Sequence, residues 1–238
     1  MIRFILLNAF IGIHTIVMSL YGLLISIFDK SGRLVHVHCA VPWARAILYV
    51  CGVKVKIGGL DNIQGGTPNI YMVNHQSMFD IFTLLSCLPD NFKFVLKQEL
   101  MKLPFLGMAM KRAGYISIDR ENPRKAIKSM NEAAEKIKKG ASVLIFPEGT
   151  RSQDGRLQSF RPGGFHLALK AGSDIVPVAI MDSHRIVPKG SLRIKKGTIS
   201  MHIGPPIPTH QYSRKDMNLL MNRVRDALIK QMKESRLS

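Results

Sequence analysis

The chain has 238 residues, of which 34 are Lys or Arg and 16 are Asp or Glu, giving a formal net charge of +18 at pH 7. This length suits one catalytic-size domain with an appendage, and the charge indicates an anionic partner: nucleic acid, an acidic membrane surface or a phosphorylated ligand. Aromatic residues make up only 7% of the chain and form no repeat with basic residues that would stack bases, so no nucleic-acid partner is expected.

The cysteines indicate neither a disulfide framework nor a zinc site. Cys39, Cys51 and Cys87 are odd in number, far apart and not in a CxxC spacing. Reduced thiols in apolar surroundings fit a protein that faces the cytosol. The sequence also contains no Walker loop, no GxSxG elbow and no cluster of metal ligands, so neither a metal nor a cofactor is expected.

The first part of the chain is apolar enough to interact with a membrane. Residues from Phe4 to Phe28 are almost all apolar, and this length can span a bilayer. The run is too long for a signal-peptide core and has no convincing cleavage site after it, so we expect it to be retained. A second apolar run, Leu34 to Val53, carries Arg45 near its middle, which is more typical of an interfacial helix than of a span.

Three interpretations of these two runs are open. They can form a helical hairpin lying in one leaflet, a transmembrane anchor followed by a surface helix, or buried core helices of a soluble protein. Basic residues flank both ends of the first run and give no orientation signal, which favours the hairpin. We therefore predict a membrane-associated helical hairpin over residues 1–57.

After Gly58 the pattern changes to short apolar runs that alternate with helical ones, which predicts an α/β domain over residues 58–238. A mixed central sheet flanked by helices is expected. The predicted strands are Val53–Ile57, Asn69–Val73, Phe92–Leu96, Tyr115–Ile118, Ser142–Phe146, Ile175–Ile180 and Ile199–Ile203.

Three helices of this domain have clear boundary signals. Pro123 to Lys139 follows Asn122, a good N-cap residue, and has one apolar face. A second helix is predicted from Gly164 to Ala171. The last helix begins near Ser213, which can form a capping box with Asp216. We expect the basic faces of the first and last of these helices to be solvated.

The stretch from Asn74 to Asp80, NHQSMFD, follows a predicted strand and places a histidine near a carboxylate. A neutral imidazole takes a proton near neutral pH, and a carboxylate can fix its tautomer and stabilise the imidazolium. In one helix the two side chains would diverge by about 140°, so His75 must precede the helix for them to meet. The competing interpretation is a capping box between Ser77 and Asp80, with His75 an ordinary loop residue.

Three further stretches end predicted strands. In GYISIDR, Arg120 offers a bidentate fork for phosphate, although an ion pair with Asp119 is the alternative. FPEGTRS presents Glu148 and Arg151 together beside Gly149, either at a ligand site or as a turn stabilised by a Glu–Arg pair. The third stretch, IVPVAI, has no ionisable group and can only form a wall.

In this order the four stretches resemble the four sequence blocks of the glycerolipid acyltransferases, most closely the 1-acyl-glycerol-3-phosphate acyltransferases. The similarity covers roughly residues 53–208, and the apolar hairpin resembles bacterial members. The second block usually ends Phe-Ile-Asp-Arg in the family, whereas this chain has Ser117 in place of the Phe. The resemblance implies acyl transfer from acyl-CoA or acyl carrier protein to lysophosphatidic acid, giving phosphatidic acid in phospholipid biosynthesis. His75 would be the general base and Asp80 would orient it.

The resemblance also implies roles for the remaining candidate residues. Arg120 and Arg151 would hold the phosphate, with Lys97 as a helper. Glu148 and Gly149 would shape the glycerol site. Backbone N–H groups just after His75 are candidates for stabilising the oxyanion.

Two alternatives remain at this point. The acceptor can be another lysophospholipid or glycerol 3-phosphate, or the protein can be a non-catalytic binder of anionic membrane lipids. The second alternative explains the charge and the apolar start but gives no reason for the settings of His75, Asp80, Glu148 and Arg151. In either case a basic domain with an apolar hairpin is expected at the cytoplasmic face of the inner membrane, next to anionic lipids.

Overall fold

The computed structural model describes residues 1–29, 31–63, 66–119 and 121–234, with all their side chains except that of Pro123. Within these residues a mixed sheet has seven strands in the spatial order β1-β7-β6-β2-β5-β3-β4. The strands are β1 (Val53–Gly58), β2 (Ile70–Val73), β3 (Lys93–Lys97), β4 (Ile116–Ile118), β5 (Val143–Ile145), β6 (Ile175–Met181) and β7 (Gly197–Ile203). Each predicted strand is present, with ends shifted by one or two residues.

The sheet is parallel except for one pair. Strands β6 and β7 run antiparallel, with Val178 opposite Ile203, while the neighbouring pairs on both sides are parallel. Every residue of β2, β5 and β6 is buried, because helices cover both faces of the central strands. The predicted mixed sheet flanked by helices is confirmed.

Helices connect the strands and cover the sheet. Their bounds are α1 (Ile2–Ile25), α2 (Arg33–Val35), α3 (Val41–Cys51), α4 (Phe79–Cys87), α5 (Leu106–Arg112), α6 (Pro123–Lys138), α7 (Gly163–Ala171), α8 (Ser183–Ile186) and α9 (Met217–Glu234). A π-helical turn, His36–Ala40, joins α2 to α3. Shorter 3₁₀ turns occur at Leu60–Asn62, Gln98–Lys102, Thr209–Gln211 and Arg214–Asp216.

The predicted helix caps are present. The side chain of Asn122 accepts a hydrogen bond from the Lys125 N–H at the start of α6. Ser213 and Asp216 form the capping box, which here closes the 3₁₀ turn immediately before α9. Each cap accepts a backbone N–H that the helix itself leaves unpaired.

The N-terminal helices pack against the α/β body. Two helical stretches, Ile2–Ile25 and Arg33–Cys51, are long and apolar enough to cross a membrane by length and composition, and only 11% and 39% of their most apolar windows are buried. Arg3 of α1 donates to the carbonyl of Ile194, and Trp43 Nε1 donates to Thr15 Oγ1 at 3.0 Å. The first helix therefore lies along the body.

The predicted division into residues 1–57 and 58–238 stays a prediction, although one observation bears on its boundary. Helix α3 ends at Cys51, and its C-cap Gly52, with φ of +71°, turns the chain directly into β1. Strand β1 pairs with β7 from Val53 onward, so the sheet begins ahead of the predicted boundary.

Candidate active site

The candidate residues meet at one edge of the sheet because four neighbouring strands point the same way. Strands β2, β5, β3 and β4 are mutually parallel, so their carboxyl ends share an edge. His75 follows β2, Lys97 ends β3, and the FPEGTRS stretch follows β5. In open α/β sheets this edge is where ligands bind.

The histidine and the aspartate form the predicted pair. Nδ1 of His75 lies 2.8 Å from Oδ2 of Asp80, whose side chain is completely buried, while that of His75 is 17% exposed. Because an ionised carboxylate only accepts hydrogen bonds, the pairing places the ring proton on Nδ1. This leaves the lone pair on Nε2, which has no hydrogen-bond partner among the residues that the structure describes.

Asp80 also fixes the chain around the histidine. Its Oδ2 accepts hydrogen bonds from the backbone N–H groups of Gln76 at 2.7 Å and Ser77 at 2.9 Å. The Ser77 hydroxyl in turn accepts from the Phe79 N–H at 3.2 Å, where α4 begins. The capping box between Ser77 and Asp80 is only half formed, because the Asp80 N–H donates to the Ser77 carbonyl rather than to its hydroxyl, and α4 begins without a side-chain cap. The His75–Asp80 pair is present in full.

The expected oxyanion role of these amides is not supported by their geometry. The N–H groups of Gln76 and Ser77 both point at Asp80. The N–H of His75 itself donates to Oε1 of Glu148 at 2.7 Å. A hydrogen bond donated to a buried carboxylate is strong, so these three donors are held away from a substrate carbonyl.

Glu148 supports the histidine loop from the other side. Its second oxygen, Oε2, accepts from the backbone N–H of Gln158 at 2.8 Å, so both oxygens serve backbone amides. Only 4% of the residue is exposed, and it is not among the cavity-lining residues described below. Burial raises the pKa of Glu148 above its ordinary value, while the N–H groups of Gln158 and His75 act against that rise. The predicted contact with glycerol stays a prediction, and the geometry favours a positioning role.

Phe146 is the neighbour of His75 whose role the sequence did not reveal. Its ring stacks on the imidazole, with centroids 3.9 Å apart and planes 17° from parallel. The carbonyl of His75 also accepts the Ser152 N–H at 2.8 Å. The ring is thus held by a hydrogen bond and a stacking contact, and its backbone by two further hydrogen bonds. The apolar end of β5 was the available signal for Phe146, but facing rings cannot be deduced from residues so far apart in the chain.

Two amide side chains anchor the loop to the β6 side of the sheet. Asn74 exchanges two hydrogen bonds of 2.7 Å with the backbone of Ile180, which continues the ladder as the chain leaves β2. Gln76 donates to the Gly155 carbonyl at 2.9 Å, and its Oε1 lies 3.1 Å from Nδ1 of His184. The IVPVAI stretch thus holds the histidine loop in addition to forming a wall.

A cavity of about 420 Å³ lies between the N-terminal helices and this edge of the sheet, and His75 lines it. Its other lining residues are mostly apolar and come from the helical N-terminus, α4, β3, α5 and the loop after β5. They are Thr15, Met18, Ser19, Val35, Cys39, Ala40, Trp43, Ile81, Leu85, Phe94, Val95, Leu96, Lys97, Leu100, Leu106, Ala109, Met110, Ala113, Tyr115, Phe146, Gly149, Thr150 and Arg151.

The cavity gathers three of the other candidates. Gly149, with φ of +74°, and the half-buried Arg151 line it after β5. Arg151 forms no ion pair with the described residues, so its guanidinium is available to an anion. Lys97 also lines the cavity. Its side chain is 49% exposed, and its Nζ lies 3.1 Å from Oε1 of Glu99. Arg120 lies outside the described residues.

One more cation lies at this edge. Nζ of Lys189 donates to Thr150 Oγ1 at 3.1 Å, which places an exposed ammonium beside the cavity. No motif pointed to this residue. In the described part of the chain, no group of three His, Cys, Asp or Glu side chains is placed to hold a metal ion.

Comparison with known proteins finds acyltransferases both by family model and by sequence similarity. A family model described as "Acyltransferase" matches residues 54–181. The chloroplastic 1-acyl-sn-glycerol-3-phosphate acyltransferase of Arabidopsis thaliana is 42% identical over 183 residues, which cover 76% of this chain and 51% of that protein. A chloroplastic relative of the same description from Brassica napus is 40% identical, with 76% and 53% covered. The chain thus spans about half the length of these two plant relatives.

A human relative and a solved structure extend the comparison. The human 1-acyl-sn-glycerol-3-phosphate acyltransferase alpha is 32% identical over 189 residues, covering 79% of this chain and 67% of that protein. The crystal structure of the 1-acyl-sn-glycerophosphate acyltransferase PlsC from Thermotoga maritima superposes with a TM-score of 0.85. The superposition covers 100% of this chain and 96% of the PlsC chain, and the two sequences are 22% identical. The two proteins therefore share a fold.

Proposed function

Because the chain belongs to the acyltransferase family, we propose that it transfers an acyl group from a thioester to the free hydroxyl of 1-acyl-glycerol 3-phosphate, giving phosphatidic acid for phospholipid biosynthesis. The observation that carries this proposal is the His75–Asp80 pair of 2.8 Å at the wall of an apolar cavity. The printed names of the relatives support the choice of acceptor.

The pair acts as a general base without a nucleophile of its own. Nε2 of His75 takes the proton of the acceptor hydroxyl while that oxygen attacks the thioester carbonyl. The tetrahedral intermediate then collapses, the carbon–sulfur bond breaks, and Nε2 returns the proton to the leaving thiolate. Asp80 accepts the hydrogen bond from Nδ1–H throughout, stays ionised, and stabilises the imidazolium between the two steps.

The cavity supplies separate environments for the two parts of the acceptor. Arg151 and Lys97 bind the phosphate, with Arg120 as the third predicted ligand. Apolar side chains from α1, α4 and α5 surround an acyl chain. Gly149 lines the cavity where the glycerol would lie, and Glu148 holds the loop that carries His75. The donor is acyl-CoA or an acylated carrier protein, and the reaction needs no cofactor.

The placement of α1 supports a hairpin lying in one leaflet. Its first turns are tied to the loop before β7, because Arg3 donates to Ile194 and Asn8 to Leu192. Nearer its other end, Met18 and Ile25 pack in a cluster that contains Ala113 and Tyr115 of the body. The α/β body thus accompanies the helix along most of its length. A helix crossing the bilayer would draw this polar body into hydrocarbon, which is costly.

The charge of the molecule supports a location at the cytoplasmic face of the inner membrane. A net charge of +18 is attracted by the anionic lipids of that leaflet. The substrate would then reach the cavity from within the leaflet, because the apolar helices that line the cavity also present exposed side chains to lipid.

An acceptor panel tests the proposal. Purified protein in lipid vesicles is given one acyl-CoA with 1-acyl-glycerol 3-phosphate, monoacylglycerol, lysophosphatidylcholine or glycerol 3-phosphate. Transfer to 1-acyl-glycerol 3-phosphate should dominate. Arg151→Ala should raise the KM for this acceptor about tenfold while leaving monoacylglycerol transfer unchanged, because only the phosphate contact is lost. Lipid binding without transfer to any acceptor would instead support a non-catalytic lipid-binding protein.

A further inference from the structure

A second cavity, which we call the α6–α7 groove, lies on the other side of the loop after β5. It has a volume of about 590 Å³ and is bounded by α6, α7 and the carboxyl ends of β3, β4 and β5. The groove and the first cavity share Val95, Phe146 and Gly149 as wall residues. Because the imidazole of His75 stacks on Phe146, the groove ends beside the candidate base.

The groove carries an excess of positive charge that the proposed mechanism does not use. Arg161, Lys170 and Arg214 line it, and all three are exposed. Among the described residues that line it there is no carboxylate. Three cations without a lining carboxylate form a site for an anion, and phosphate is the anion that such clusters bind well.

Two of these cations have defined positions. The backbone N–H of Arg161 donates to the Pro147 carbonyl at 2.8 Å, and its side chain crosses directly over Gly149. A Cβ atom at Gly149 would come within 2.9 Å of Arg161 Nε, so glycine is needed for this close approach. Nζ of Lys170 donates to Asn131 Oδ1 at 2.6 Å, which links α7 to α6 across the groove.

The rest of the groove is apolar. Ile127 is 62% exposed on α6 and lines the groove together with Met130 and Ile118. A ligand suited to this surface has an apolar or amide-containing arm and a phosphate at one end.

We propose that the α6–α7 groove binds the phosphopantetheine arm of the acyl donor, the chemical group that coenzyme A and acyl carrier protein share. Arg161, Lys170 and Arg214 bind its phosphate, and Ile127 and Met130 contact the arm. The thioester end passes Phe146 and reaches His75 opposite the acceptor in the first cavity. This inference rests on the proposed function, because it assigns the acyl donor a binding site separate from the cavity that holds the acceptor.

A binding measurement tests the groove independently of turnover. S-hexadecyl-coenzyme A, a thioether that cannot transfer its chain, is titrated into the protein in detergent. The K170Q/R214Q variant should bind it about tenfold more weakly than the wild type, the scale of two exposed charge contacts. The matched control, K54Q/K56Q, removes two exposed lysines from β1 at the opposite edge of the sheet. Affinities of K170Q/R214Q and wild type within twofold of each other would overturn the proposal.

Acyl-transfer assays with different donors then show which phosphate of the donor the three cations bind. For K170Q/R214Q the donor KM should rise about tenfold with acyl-CoA and with acyl carrier protein, and less than twofold with acyl-N-acetylcysteamine, a thioester without phosphate. A rise with acyl-CoA alone would place the cations at nucleotide phosphates that acyl carrier protein lacks, and would overturn the proposal that they bind the shared phosphate. A rise with acyl carrier protein alone, or an equal loss with the phosphate-free thioester, would overturn the proposal.

The two assays also separate this inference from the proposed function. The wild type could transfer no acyl group to 1-acyl-glycerol 3-phosphate and still bind the thioether through Lys170 and Arg214. In that case the proposed acceptor is wrong, and the assignment of donor binding to the α6–α7 groove is supported. If transfer occurs and thioether binding is independent of both residues, donor binding in the α6–α7 groove is wrong, and the proposed acyl transfer is supported.

Discussion

At the scale of single residues, His75 makes four restraining contacts, only one of which was expected from the sequence. Its ring is held by Asp80 and by Phe146, and its backbone by Glu148 and Ser152. The spacing of His75 and Asp80 allowed their pairing, because a loop residue ahead of a helix can meet a carboxylate in its first turn, but it also allowed an idle His75 beside a capping box. The order of the four sequence blocks favoured the pair. The stacking ring could not be predicted, because Phe146 lies 71 positions away in the chain and reaches His75 through the order of the strands.

Asp80→Asn should lower kcat about a hundredfold or more while changing the acceptor KM less than threefold. The asparagine carbonyl can still accept hydrogen bonds from His75, Gln76 and Ser77, so the loop keeps its shape. The negative charge that stabilises the imidazolium is lost. Steady-state kinetics with 1-acyl-glycerol 3-phosphate measures both constants. A kcat within threefold of the wild-type value would show that the carboxylate does not stabilise charge on the ring.

Lys93 makes stability depend on pH at a position away from the site. The residue is 5% exposed at the start of β3, and burial, assisted by the nearby charge of Lys136, lowers the pKa of Lys93 to about 8. In an unfolded chain a lysine titrates near pH ~10.4. The cost of burying the ammonium is therefore fully present below pH 8 and disappears as the pH rises toward the unfolded value.

Relative to Lys93→Met, the wild type should gain about 2 kcal/mol of unfolding free energy between pH 7 and pH 10. Denaturant unfolding in detergent at the two pH values measures the difference. Lys54→Met, an exposed lysine on β1, is the control and should show no such gain. A constant difference between wild type and Lys93→Met would mean that Lys93 titrates normally.

At the scale of elements, the strands were predictable and several helices were not. Strands β2, β5 and β6 are apolar runs buried on both faces, whereas β1 and β7 alternate apolar and polar residues, and both patterns give a strong local signal. Helices α5 and α8 have only seven and four residues, too few to show a helical period. The position of α1 against the catalytic edge depends on long-range packing, so the cavity could not be located from the sequence.

The segment from Gln98 to Arg112, which contains α5, belongs to the membrane-facing surface in this account. Leu100, Leu103, Phe105 and Met108 are between 43% and 56% exposed. Leu106 and Met110 of the same segment line the first cavity, and α1 packs beside it. One side of the segment therefore faces the substrate cavity, and the other extends the exposed apolar surface of α1.

The L103D/M108D variant should bind lipid vesicles about tenfold more weakly than the wild type, because two apolar side chains no longer enter the lipid interface. Sedimentation with neutral vesicles measures the affinity. The control is Leu219→Asp, which places one such aspartate at a 62% exposed leucine on α9. Equal affinities of the wild type and the double variant would restrict the membrane contact to the N-terminal helices.

At the scale of the whole molecule, we propose that charge and apolar surface together direct the protein to a membrane. The net charge of +18 and the two apolar helices were both evident from composition. Their geometric relation was not evident, because it depends on α1 lying against the body through contacts such as Arg3 to Ile194. The same packing brings the membrane-facing helices and the catalytic edge of the sheet to a single cavity.

Vesicle binding should accordingly have two components with different salt dependence. Between 50 and 500 mM salt, affinity for vesicles rich in phosphatidylglycerol should fall about tenfold or more, because charges near a membrane surface are screened. Affinity for neutral vesicles should change less than threefold, since apolar burial is insensitive to such screening. Identical salt dependence for both lipids would contradict a role for the positive charge in membrane attraction.

The central claim is that His75 is the general base for acyl transfer to 1-acyl-glycerol 3-phosphate, and its most direct test is the turnover of His75→Ala. The control is His210→Ala, which removes an exposed histidine from the Thr209–Gln211 turn. Vesicle binding and thermal unfolding should match the wild type in both variants. The kcat of His75→Ala should fall about a hundredfold or more, while His210→Ala keeps its activity. Turnover by a folded, membrane-bound His75→Ala protein within threefold of the wild-type rate would contradict the central claim.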